Sequence, residues 1–200
     1  MLMSLKILLF FLAGLLLGVS GWLSFIPVET DLGKYALYLL MLLVGISIGA
    51  DGSSLFVLKK QGLRLLMVPT ATIAGTFAGV AVMMLFIRSI SVQEALAVGA
   101  GFGYYSLSSI IISEIHSEAL GVIALLANVT REILTLLLAP LMVIFFGKLG
   151  PISAAGATSM DTTLPIITAV SGKEYAVISL FHGILLTIIV PILVTLILWF

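Results

Sequence analysis

The sequence holds no cysteine, only two histidines (His116 and His182), and nine basic against nine acidic residues in 200. Without cysteine there is no thiol catalysis, no disulfide and no Cys-ligated metal. Two histidines are too few for a histidine-rich metal site, so neither metal nor cofactor is expected. The formal net charge of zero provides no basic field for nucleic acid and no acidic tail for a solvated partner. Soluble domains carry about 25% charged residues because their surface faces water. This chain has 9%, too few to clothe such a surface. What it has instead is apolar: 62% of residues, with a mean hydropathy of +1.33. A chain of that kind belongs in lipid.

A spanning helix needs about 20 mostly apolar residues. Seven runs qualify, roughly 5–26, 34–50, 63–87, 92–113, 118–146, 152–170 and 174–200. The first follows Lys6 but is too long for the core of a signal peptide and lacks an A-x-A cleavage site, so it reads as a retained span. Only short loops separate the runs, giving one transmembrane domain over 1–200. Lys and Arg in short loops set orientation. The cluster Lys59, Lys60 and Arg64 places its loop in the cytoplasm, and alternation then puts the N-terminus inside and the C-terminus outside. Lys6 and Lys173 fall inside, whereas Lys34, Arg88 and Lys148 fall outside. The turn carrying Glu114, His116 and Glu118 falls on the cytoplasmic side, where it reads as a solvated loop or a vestibule that concentrates cations.

Two of these runs are poor helices. The fourth contains Gly99, Gly101 and Gly103, followed by Tyr104, Tyr105, Ser106, Ser108 and Ser109. Each glycine weakens a helix by roughly 1 kcal/mol relative to alanine. The sixth contains Thr158, Ser159, Asp161, Thr162, Thr163 and Pro165, and the proline removes the helical partner of the Asp161 carbonyl. Interrupted backbone at membrane depth is tolerated only inside protein or against a cavity. Secondary carriers build their ion and substrate sites from such broken helices. Close helix packing is the plainer explanation of small residues. It does not explain Asp161, since an unpaired carboxylate at mid-membrane costs about 3 kcal/mol or more.

In the fifth run, Asn128, Arg131, Glu132 and Thr135 recur at i, i+3, i+4 and i+7, which is one helical face. That face must look into a bundle or onto water. Arg131 and Glu132 diverge around the helix, so Arg131 is expected to pair with Asp161 or a backbone carbonyl, leaving Glu132 to titrate. Two acids with one basic neighbour can exchange a proton for an ammonium, the core of an antiport mechanism. The plain alternative is a charged cluster that only fixes packing. Asn128, Arg131, Tyr105, Ser106, Ser108, Thr158, Ser159 and Thr162 are the candidate substrate ligands, since amides, guanidinium and hydroxyls can hold ammonium and carboxylate groups. His182, alone in the last run, is a candidate proton relay or a simple interhelical bond.

Taken together, GAGFGYYSLSSIIISE (99–114), NVTREIL (128–134), GATSMDTTLPI (156–166), HGILLTIIVPILV (182–194) and LLVGISIGADG (42–52) resemble the lysine exporter family LysO, in the same order. The resemblance implies export of L-lysine and its toxic analogues from the bacterial cytoplasm across the inner membrane, by exchange for protons. It places the family's two essential intramembrane acids at Glu132 and Asp161. Family members run about a hundred residues longer at the N-terminus, with about three further spans. A small companion membrane subunit is therefore expected to supply them, and ten spans would divide into two inverted halves. The sequence-level reading is thus an all-α polytopic membrane protein, a secondary-transporter-like bundle of about seven segments with some discontinuous. A sodium/proton antiporter or an exporter of another cationic amino acid fits the same residues. A structural or channel-forming subunit is the alternative from another class. An intramembrane serine protease would need Ser20 of GVSG (18–21) to meet His182 or His116, and four small residues in a Gly-rich span are a weak signal for it. No enzyme activity is expected.

Overall fold

The computed structural model describes residues 62–199 except 88, with a few isolated positions before them (9, 13, 16, 17, 19–21, 39, 42 and 46). Apart from those positions the first two expected spans lie outside the described residues, as do Lys6, Lys34, Lys59, Lys60, Arg88 and the Arg64 side chain.

All regular structure among the described residues is helical. A 3-10 turn, Gly62–Leu66, leads into α1, Met67–Met83. Then come α2 (Val92–Gly99), α3 (Tyr105–Ile115) and α4 (Glu118–Phe146). Next is α5 (Gly150–Ala155), a 3-10 turn (Gly156–Met160), α6 (Leu164–Ser171) and α7 (Lys173–Trp199). Local chemistry sets the boundaries. Ser91 accepts from the Glu94 N–H at 3.1 Å while the Glu94 carboxylate accepts from the Ser91 N–H at 2.6 Å, a reciprocal cap that starts α2. Ser117 caps α4, and Gly147, at φ 77°, ends it.

The fourth expected span, 92–113, does not cross in one direction. A continuous helix would hold Glu94 and His116 about 33 Å apart; the His116 Nε2 lies 3.5 Å from Glu94 Oε1. Helices α2 and α3 are therefore the arms of a hairpin whose tip is 100–104. The sixth expected span, 152–170, folds the same way. Ser171 donates to the Lys148 carbonyl at 2.9 Å, where a straight helix would separate them by about 35 Å. Its arms are α5 and α6. Reversal needs positive-φ backbone, which glycine adopts readily: φ is 90° at Gly103 and 67° at Gly156, with Phe102 at 42° beside Gly103.

Each hairpin is followed by a long helix, so 92–146 and 150–199 repeat one plan in opposite senses. The first hairpin and the start of α4 share an end with the close of α7, where Gln93 Nε2 donates to the Ile197 carbonyl at 2.7 Å. The second hairpin and the start of α7 share the other end, where Lys148 and Glu174 pair at 3.5 Å. The tips touch: the Ala157 N–H donates to the Phe102 carbonyl at 2.8 Å. Around this crossing Ala97, Ala100, Phe102, Ala124, Leu186 and Val190 form the core. Both α4 and α7 are long and apolar enough to cross a membrane.

Candidate functional site

Helix α4 buries Leu120, Ala124, Asn128, Glu132, Thr135 and Ala139, at helical spacing along one stripe. Glu132 lies fourteen residues from either end of α4 and is 8% exposed. The stripe faces the crossing of the two hairpin tips.

Asp161 closes the Gly156–Met160 turn. Its Oδ1 accepts from the Thr162 N–H at 2.6 Å and from the Thr162 hydroxyl at 3.3 Å. The Thr162 side chain also reaches Glu132, and the two carboxyls act on each other electrostatically. Tyr105, the first residue of α3, stands within electrostatic range of both. Tyr105, Glu132, Asp161 and Thr162 thus come together from three elements. Among the described residues neither acid has an ion-pair partner.

Arg131 points elsewhere. Its Nε donates to the Ala154 carbonyl at 2.7 Å, its Nη2 to the Ser153 carbonyl at 3.0 Å, and its Nη1 to the Thr76 hydroxyl at 3.3 Å. The guanidinium caps the carbonyl end of α5, where the break at Gly156 leaves the last carbonyls without helical donors. Of the two partners expected for Arg131, the structure gives the backbone.

Asn128 does the corresponding work for the first hairpin. Its Oδ1 accepts from the Gly103 N–H at 2.7 Å, and its Nδ2 donates to the carbonyls of Val98 at 3.2 Å and Ala124 at 2.9 Å. One side chain thereby satisfies backbone on both sides of the tip. The fit leaves no room for a larger residue at Gly101, where a Cβ would sit 2.5 Å from Asn128 Nδ2.

His182, fully buried on α7, holds the second tip. Its Nδ1 is 3.0 Å from the Ser159 hydroxyl and its Nε2 is 2.9 Å from the Thr72 hydroxyl on α1. Ser159 in turn donates to the Ser179 carbonyl at 2.9 Å, and Ser179 donates to the Ser159 carbonyl at 2.6 Å. The neighbouring Gly183 lets α7 approach this turn, since a Cβ there would meet Met160 at 2.6 Å.

A family model described as lysine exporter LysO matches residues 8–198. The chain belongs to the lysine exporter LysO family. Lysine exporter LysO of Escherichia coli K12 is 33% identical over 193 residues, which are 96% of this chain and 62% of that protein. A Haemophilus influenzae protein, provisionally named a lysine exporter, is 35% identical over 184 residues, 90% of each chain. The chain thus spans under two thirds of the length of its E. coli relative. No solved structure matches it.

Within this family member the expected site residues divide by task. Tyr105 and Thr162 join Glu132 and Asp161. Asn128, Arg131 and Ser159 hold the tips, as does Thr158, whose hydroxyl donates to the Ala155 carbonyl at 3.0 Å. Ser108 is fully buried and bonds the Tyr104 carbonyl at 2.8 Å, while Ser106 is exposed. The sequence reading overlooked Thr72 and Thr76. They lie four residues apart on one face of apolar α1, a spacing that marked them as facing something polar. Ser20 bonds the Leu17 carbonyl at 2.9 Å.

Proposed function

We propose that the chain exports L-lysine across the cytoplasmic membrane in exchange for protons, with Glu132 and Asp161 as the exchange site. The observation that carries this reading is the pair of carboxyls at half-height of α4, close to each other and served by no cationic side chain among the described residues. Carboxylates at such depth are costly unless they receive a cation. The Thr162 hydroxyl has one proton and two carboxyls to serve. If it donates to Asp161, a protonated Glu132 can donate to its oxygen, so one shared proton completes the cluster. An incoming ammonium supplies donors to both acids and displaces that proton. The family membership supports lysine as the cargo, since the relatives are called lysine exporters.

Polytopic membrane insertion is part of the proposal, with α1, α4 and α7 crossing and the two hairpins re-entering from opposite faces. This arrangement moves two loops relative to the sequence-level topology. Lys148 joins Lys173 and the Lys59–Arg64 cluster on the cytoplasmic face, and Glu94, Glu114, His116 and Glu118 lie outside. The segregation obeys the positive-inside rule better than seven straight spans do. The C-terminus stays outside, and Asp161 sits at the tip of the cytoplasmic hairpin.

The test is release of radiolabelled L-lysine from preloaded proteoliposomes, with and without an imposed proton gradient. Gradient-driven efflux that disappears in Glu132→Gln and in Asp161→Asn is expected. Efflux that survives both substitutions sinks the exchange site, and movement of another cation in place of lysine sinks the cargo.

A further inference from the structure

His182 takes no part in the exchange at the acid pair, yet the hydroxyls bonded to its two ring nitrogens have other partners that constrain their directions. The hydroxyl proton of Ser159 goes to the Ser179 carbonyl, and that of Ser179 goes to the Ser159 carbonyl. With its proton on the Ser179 carbonyl, Ser159 Oγ bonds His182 as an acceptor, which assigns the ring hydrogen to Nδ1. That fixes the tautomer of the neutral ring, with Nε2 unprotonated and accepting from Thr72 Oγ1 at 2.9 Å. The Thr72 hydroxyl also has a second acceptor, the Val68 carbonyl at 3.0 Å. When Nε2 gains a proton it donates to Thr72 Oγ1, and Thr72 turns its own hydrogen to Val68. Both charge states are fully bonded, and the protonated one has an additional bond. A histidine that only fills a core needs one satisfied state; this one has two.

Among the described residues, the groups facing the ring can be named element by element. They are Thr72 from α1, Arg131 from α4, Ser159 and the Gly156 carbonyl from the second tip, and Ser179 on its own helix. Arg131 is the single charge among them. We propose that His182 is a titratable positioning residue, which ties the tip bearing Asp161 to α1 through Thr72 and adjusts that tie by gaining or losing a proton at Nε2. Its influence on transport rests on the acid-pair reading, because it acts by placing Asp161; its titration does not.

Replacing His116 by Gln leaves His182 as the only histidine, so imidazole nitrogen NMR of the isotope-labelled full chain in lipid nanodiscs reports this ring alone. The neutral ring is expected to be protonated at Nδ1, with acidification adding a proton at Nε2 only. In Thr72→Val the tautomer should persist while the pH of the Nε2 step moves. A neutral ring protonated at Nε2, or one that never titrates while the protein stays folded, overturns the proposal. In lysine efflux, His182→Asn keeps an amide donor toward Ser159 and loses the titrating nitrogen. It should remain active with an altered pH profile, and a profile matching the parent protein overturns the positioning role. Should the parent move no lysine, the export reading falls and the NMR result still decides His182.

Discussion

Gly156→Ala tests whether the two hairpin tips truly lock together. At Gly156 the backbone has φ 67° and ψ −129°, a region that residues with a side chain avoid at a cost of about 1–3 kcal/mol. The added methyl would also collide with the Phe102 carbonyl oxygen, the group that accepts from the Ala157 N–H at 2.8 Å. Displacing that oxygen breaks a buried hydrogen bond, costing about 1–3 kcal/mol more. The combined loss is on the order of 3 kcal/mol. For a chain of this size each kcal/mol lowers the melting temperature by about 2–4 °C, so a fall of roughly 6–12 °C is expected. Thermal unfolding of the detergent-solubilised protein, followed by fluorescence-detected gel filtration, measures it. Gly75→Ala is the control, because its Cβ would meet no described residue within 4 Å. In mid-helix it should leave stability unchanged or raise it by up to about 1 kcal/mol. If the two variants melt alike, the tips do not lock as described and the reasoning fails.

The fold has a topological signature that the cysteine-free sequence makes easy to read. Single cysteines at Ser89 and Ser117 should react with an impermeant maleimide from one side of the membrane, and cysteines at Lys148 and Lys173 from the other. Labelling of positions 89 and 117 from opposite sides would restore a straight fourth span. At the exposed base of the first hairpin, the Ser91 backbone N–H, then the Ser91 hydroxyl and least the His116 charge, hold the Glu94 carboxyl below its ordinary value of 4.5. A lowered folded value means the cap stabilises above about pH 4.5 and loses its effect as pH falls through that lowered value. The difference in melting temperature between parent and Glu94→Gln should accordingly be present at neutral pH and shrink in acid; a difference that grows in acid refutes the assignment.

How far the sequence could be read depended on whether a signal was local. Helical composition, the long apolar runs of α4 and α7, and the two weak helices were all visible, since glycine, proline and buried acids act where they stand. The direction of the chain after each weak point was not. Gly103 and Gly156 could have produced a kink as easily as a reversal. The choice was made by partners far away in sequence, such as Asn128 for Gly103 and Phe102 for Gly156. The helical face of Asn128, Arg131, Glu132 and Thr135 was legible from spacing alone, and Asn128, Glu132 and Thr135 are buried. The division of labour within it was not, because it depends on which half-helix end arrives beside each side chain.

That division explains how an arginine and a glutamate can be neighbours in the middle of an apolar helix. Broken helices bring four half-helix ends to one depth, with partial negative charge at the carbonyl ends and partial positive charge at the amide ends. Arg131 takes the carbonyl end of α5, and Asn128 donates to the last turn of α2. The acids lie at the amide ends: Tyr105 opens α3 beside them, and Asp161 precedes α6 by three residues. Positions 131 and 132 point about 100° apart around α4, which is what allows one to serve each kind of end. The Arg131 charge is thereby held by backbone carbonyls and directed away from the acids. A direct Arg131–Asp161 ion pair would have compensated both charges and left the site with nothing to offer a cation. Among the described residues the two carboxyls lie together with no cationic side chain paired to them, which is the condition that the proposed exchange of a proton for a substrate ammonium requires.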